Sequence, residues 1–393
     1  MYICKTQSLC MHKPGMRTTH PMLSLHCISQ RERQPALMSK TANSGRRSQI
    51  NLPRFYLIIF FLLSLILIAG CLPQDIARDE DKITVTALIF PAYDFVRTIA
   101  GDRVNLILLT SPGMESHSFE PSPRDLINIR NSDLFIYTGG ENSSWMDRVL
   151  ESLELAEGST RILAMLDMVE ALEEEFVEGM EVSYAHVDDH DEHDHDEHDH
   201  HHHHDDHDHQ DHDHSEEPEL DEHVWTSPRN AALIVHTLAE LLCELDTDNA
   251  NFYRQNAADF IAQLLELDAA FNALMAGARR NTIVVADRFP FRYFAHHYGL
   301  EYFAAFSGCS TNTDPSAATV AFLITQVREA QIPVVFHIEL SNERIADTIS
   351  EATGARKLLL HSAHNLSMRD FNNGMTYLDI QRANLENLRA ALW

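Results

Sequence analysis

"NANFYRQNAADFIAQLLELDAAFNALMAGARR", residues 249 to 280, is the stretch on which the fold turns. It has no proline and a single late glycine, and apolar residues recur at Phe252, Phe260, Leu264, Leu267 and Phe271 at close to helical spacing. At about 1.5 Å per residue such a helix spans roughly 40 Å or more, which is long for a globular chain. It divides the sequence around it. Before it, β-type and helical segments alternate: "KITVTALIF", "AYDFVRTIAG", "RVNLILLT", "SPRDLINIRNSD", "LFIYTGG", "SWMDRVLESLE", "TRILAM". After it the rhythm resumes with "TIVVAD", "FPFRYFAHHYG", "LEYFAAFS", "SAATVAFLITQVREAQ", "PVVFHIE", "NERIADTISEATG", "KLLLHS" and "TYLDIQRANLENLRAAL". Strand and helix alternating at this interval imply parallel sheets with helices on both faces. The expected fold is therefore α/β, with two lobes of mostly parallel sheet joined by one spine helix. The first lobe is placed at 82–247, the connecting helix at 248–280 and the second lobe at 281–393.

Outside this frame lie two unusual segments. "RFYLIIFFLLSLILIAGC", residues 54 to 71, has a basic flank, an apolar run and small residues ending in Cys71. The run is shorter than the ~20 residues of a spanning helix, so it reads as the apolar part of a secretory signal. "IAGC" resembles a bacterial lipobox, which implies lipidation of Cys71 and a chain held at the extracytoplasmic face of a membrane. Residues 38–70 are then the signal peptide, 71–81 a tether, and 1–37 an overextended start or a disordered leader. The second segment is "DEHDHHHHHDDHDHQDHDH", residues 196 to 214, the densest part of a histidine and carboxylate run inside an irregular loop at about 180–218.

Charge and cysteine content narrow the function. Of the formal charge of −29, thirteen units fall in residues 186–214. The remaining excess of about −16 still argues against a nucleic-acid partner. None of the six cysteines has ribbon or redox spacing. The sequence contains no P-loop, nucleophile elbow, dinucleotide fingerprint or HExxH motif.

The run itself offers His190, His193, His195, His198, His200, His201, His202, His203, His204, His207, His209, His212 and His214. Neutral imidazoles interleaved with carboxylates bind zinc in many interchangeable ways, and bind nickel and copper too. A flexible segment loses about 1 kcal/mol or more of chain entropy per residue fixed on a metal, which a folded cleft does not. The run is therefore expected to collect or sense zinc weakly, with the tight site elsewhere. His117 in "SPGMESHSFEPSPRDL", His223 in "DEHVWTSP" and His364 in "LLLHSAHNLS" each sit where a strand ends or a helix begins, positions that face a cleft in open α/β sheets.

"GMESHSFEPSPRDL", "DEHVWTSPRNA" and "GMTYLDIQRANLENLRAAL" together resemble the metal-binding solute-binding proteins of bacterial ABC transporters, the zinc and manganese uptake group. The resemblance covers residues from about 82 to 393, and a histidine-rich insertion ahead of the second motif is typical of zinc-type members. It implies a monomeric lipoprotein that captures Zn2+ between its lobes and passes it to a membrane permease driven by an ATPase. It makes His117 and His223 ligands from the first lobe and places the last ligand on His364, with His361 as competitor. Where the family has a histidine or glutamate after the first strand of the second lobe, this chain has "VADRFPFRYF", so Asp287 is the candidate and Arg288 cannot ligate. Three imidazoles plus a carboxylate or water favour zinc over manganese. Glu339 is expected to orient a ligand, Trp225 and Phe119 to form cleft walls, Glu120 to serve its own loop, Cys309 to be a buried thiol, and His296 and His297 to lie on a helix surface. A zinc-storage lipoprotein and a manganese carrier are the alternatives, and a zinc hydrolase lacks a supporting motif.

Overall fold

The computed structural model describes residues 79–114, 119–140, 144–155, 160–180, 219–310 and 314–393. In the first lobe, β1 (Thr84–Ala87), β2 (Asn105–Leu108), β3 (Leu134–Tyr137) and β4 (Arg161–Ala164) form a parallel sheet in the order β2-β1-β3-β4. Between them run α1 (Phe90–Ala100), α2 (Pro123–Arg130) and α3 (Ser144–Leu155). The helix starts follow from local chemistry. The hydroxyl of Ser122 accepts the Asp125 N–H while the Asp125 carboxylate accepts the Ser122 N–H, a reciprocal cap with proline in the first turn. α1 ends at Gly101, whose φ of 56° favours glycine.

The second lobe repeats this plan with β5 (Thr282–Phe289), β6 (Glu301–Ser307), β7 (Val334–His337) and β8 (Arg356–Leu359), ordered β6-β5-β7-β8 and again parallel. Strand alternation splits the side chains of this sheet between two cores. Ile283, Val285, Val334 and Phe336 face a core shared with the first lobe. Val284, Ala286 and Val335 face a separate cluster with Leu323 and Val327 of α7 (Ala317–Glu329) and Ala346 and Ile349 of α8 (Arg344–Thr353). Helix α6 (Arg292–Tyr298) follows β5.

Between the lobes, α4 (Pro228–Leu245) leads into α5 (Ala250–Ala276), the expected spine. Its 27 residues span about 40 Å. The buried stripe runs through Tyr253, Ala257, Phe260, Leu264, Leu267, Phe271 and Leu274, alternating four- and three-residue steps on one face. Phe252 is not in it: it lies against Gly101, with the Arg103 guanidinium over its ring at 5.3 Å. Phe260 meets Phe95 of the first lobe edge to face at 5.8 Å, and Phe271 meets Phe294 of the second at 4.9 Å. One helix thus packs into both lobes. The terminal α10 (Tyr377–Leu392) follows a short α9 (Met368–Asn372) that the sequence pattern did not reveal.

The chain on either side of the loop expected at about 180–218 has defined structure. Glu173 and Leu220 form an antiparallel bridge. Residues 172–175 strap across the second lobe: the Leu172 N–H donates to the Tyr293 hydroxyl, the Cys309 N–H to Glu174 Oε1 at 2.8 Å, and the Tyr302 hydroxyl to Glu175. The histidine run, Cys71, the signal segment and residues 1–37 lie outside the described residues. Among the described residues no helix is long and apolar enough to cross a membrane.

Candidate metal centre

After the strap, Asp221 and Glu222 lead directly into His223, which is fully buried and starts a short 3-10 turn, Val224–Thr226. The Asp221 carboxylate accepts the His223 N–H at 2.8 Å and lies 3.2 Å from Nδ1 of the same ring. That contact fixes the ring's orientation and engages Nδ1. Burial by itself pushes the imidazole pKa down; Asp221, with Glu222 and Glu174, more than reverses this and holds it above the ordinary value.

From the other lobe, the chain leaving β8 turns sharply at Ala363, whose φ is 65°. One carboxylate organises the turn: Glu339 accepts the Ser362 N–H at 2.8 Å, the Ser362 hydroxyl at 2.5 Å and the His364 N–H at 3.1 Å. His364 is thereby presented to His223, the ring centroids 5.3 Å apart and the planes at 88°. Trp225 packs on both rings, at 5.5 Å and 5.0 Å, and its indole N–H donates to the Ser362 carbonyl. The two histidines line a cleft of about 340 Å³, counting its open mouth, together with Met114, Arg288, Gly308, Glu339 and Asn365. Gly308 lets the backbone approach closely: a Cβ there would stand 3.0 Å from Asp221 Oδ2 and 3.2 Å from His223 Nδ1.

The remaining candidates fall elsewhere. His117 lies outside the described residues. Asp287 is not on the cleft wall. A register shift in β5 between Val285 and Arg288 turns the buried Arg288 to the cleft, while the Asp287 carboxylate accepts the Arg288 N–H at 2.9 Å and burial raises its pKa. His361 is also off the wall: its Nδ1 accepts the Ala363 N–H and lies 3.4 Å from Glu339, so it supports the turn. His296 is exposed as expected, whereas His297 is half-buried with Nδ1 2.6 Å from the Ser227 hydroxyl. That diverts Ser227 from the side-chain cap it would otherwise give α4. Phe119 packs edge-on against Trp145, and Glu120 is exposed. Cys309 is buried, its thiol pushed well up by burial and by Asp221, Glu174 and Glu222. Among the described residues no three His, Cys, Asp or Glu side chains are grouped to hold a metal. Asp221 was missed in sequence, although its place two residues before His223 carried the signal.

The model of the family described as "Zinc-uptake complex component A periplasmic" matches residues 85–391. The chain belongs to this family. Its members are solute-binding proteins of metal uptake, not enzymes. The high-affinity zinc uptake system protein ZnuA of Bacillus subtilis is 30% identical over 317 residues, 79% of this chain and 88% of that one. The zinc-binding lipoprotein AdcA of Streptococcus pneumoniae is 29% identical over 333 residues, and the match spans 60% of its length. The Zn(II)-bound ZnuA-like domain of AdcA superposes with a TM-score of 0.60 at 24% identity, over 79% of this chain and 99% of that one. The metal-dependent lipoprotein YcdH of Bacillus subtilis gives 0.60 at 25%, over 79% of this chain and all of that one. These superpositions bear out the two-lobed α/β architecture.

Proposed function

We propose that this chain captures Zn2+ at the wall shared by its lobes, through His223, His364 and His117, and hands it to an ABC permease and its ATPase. The carrying observation is the meeting of His223 and His364 from opposite lobes. A zinc–nitrogen bond of about 2.0–2.1 Å puts an imidazole centroid roughly 3.2 Å from the ion, so two rings on one tetrahedral zinc stand about 5 Å apart. The observed 5.3 Å needs almost no adjustment. Arg288 lines the cleft and cannot ligate, so in this reading water completes the coordination. An imidazole-rich set favours zinc over manganese. The family and its relatives support extracytoplasmic placement, and lipidation at Cys71 would tether the monomeric chain to the membrane.

Calorimetry on the full chain is expected to show one tight zinc and several weaker ones. Deleting residues 186–214 removes the weaker sites and keeps the tight one. His223→Ala and His364→Ala each abolish the tight site, whereas His361→Ala weakens it without abolishing it. Loss of tight binding on deleting the histidine run would instead make that run the principal site and the lobes its scaffold.

A further inference from the structure

Next to His364 stands Asn365, a residue that touches neither histidine in the contacts above and is 2% exposed. Its amide reaches across to the first lobe, where Nδ2 donates both hydrogens, one to the Ser111 carbonyl and one to the Met114 carbonyl, at 2.8 Å each. Its Oδ1 accepts the Leu366 N–H at 2.8 Å. Gly113 adds a backbone bond in the same direction, its N–H donating to the Leu366 carbonyl at 2.6 Å. The donors and acceptor of the side chain are thus all engaged. The partners are separated in sequence by about 250 residues, so this bracket belongs to neither lobe's own folding.

What it brackets matters. On one side, the chain from Ser111 to Met114 leads into His117 only three residues later. Met114 itself lines the cleft. On the other side, Asn365 is covalently joined to His364, whose backbone Glu339 already holds. We infer that Asn365 is a positioning residue of the metal site, fixing the turn that carries His364 against the Ser111–Met114 segment of the first lobe. The inference rests on the zinc-capture reading above. An outer residue of this kind acts on affinity through the ligands it aims and leaves their number unchanged.

The test uses the full chain, with zinc as the probe in competition against a chromophoric chelator and cobalt(II) as the spectroscopic reporter. Asn365→Ala is expected to keep one tight zinc per chain but to bind it roughly 10- to 100-fold more weakly, chiefly through faster dissociation. The visible cobalt bands should shift or lose intensity, a change that general loss of stability does not produce. Asn365→Asp places a carboxylate against two carbonyls and should do the same or worse. Unchanged zinc affinity and cobalt spectrum in Asn365→Ala overturn the inference, while loss of tight binding in His364→Ala keeps the capture reading intact. Tight binding that survives His364→Ala overturns the capture reading itself. Should truncation at this buried position unfold the chain, amide hydrogen exchange on the native protein decides. The Gly113 N–H is expected to exchange as slowly as the Leu366 N–H, and exchange at an unprotected rate sinks the bracket.

Discussion

At the scale of single residues, the histidines owe their usefulness to the carboxylates behind them. Asp221 holds Nδ1 of His223, and Glu339 holds the backbone of His364. Replacing Asp221 by Asn keeps the shape but removes the charge that makes the imidazole a better donor to a cation. We expect Asp221→Asn to weaken zinc by roughly 10-fold, at the low end for such partners, in a chelator competition. His297 carries the clearest pH dependence. Burial, then Arg229 and His296, lower its pKa below the ordinary 6.5. The unfolded chain therefore binds this proton more readily than the folded one as pH drops below 6.5, and stability falls with it. Above 6.5 the contribution is fully present. Thermal unfolding of His297→Gln between pH 7.5 and 5.5 should show a shallower acid-side loss than the unaltered chain, and an identical slope would rule out His297 as a source. Of these residues, His223 and His364 were legible because they stand at element ends. Glu339 was expected to orient a ligand and is seen to hold the backbone of His364, but Asn365 was not singled out, since its partners are backbone carbonyls far away in sequence, which carry no residue signature.

Among the elements, α5 was the most readable because its apolar spacing is set by the turn of the helix, whatever it packs against. Its ends were less so: the chain enters through a 3-10 turn, Thr247–Asn249, that periodicity does not mark. The short α9 escaped notice because "MRDFN" is too brief to display a period. Strand β5 shows the opposite failure. The family resemblance put Asp287 forward at this point, whereas Arg288, past a register irregularity, is the residue that lines the cleft. The spine's aromatic contacts give a quantitative expectation. Phe260→Ala removes a nearly fully buried ring that meets Phe95, and should lower unfolding free energy by about 3–5 kcal/mol in denaturant titration. Phe271→Ala should lose a similar amount from the opposite lobe, and a loss below 1 kcal/mol at either site would argue against a continuous core along α5.

For the whole molecule, the continuity of that core bears on cooperativity. Residues from both sheets, together with α1, α4, α5 and α10, belong to one cluster. Asp94 of α1 accepts the Tyr377 N–H at the start of α10, and Tyr377 donates its hydroxyl to the Trp225 carbonyl, so polar ties run the same way. The two lobes should therefore unfold in one calorimetric transition, and two separated peaks would show that they are independent. Such a frame favours small tilts and side-chain movement over a wide hinge. The Glu173–Leu220 bridge carries a different implication. Because Glu173 and Leu220 are paired, the ends of the segment between them are held together, and by loop-closure statistics each doubling of its length would add only about 0.6 kcal/mol of closure entropy. A reporter domain inserted between residues 180 and 219 is therefore expected to leave the unfolding of the lobes nearly unchanged, whereas changes at Glu174 or Glu175 are not.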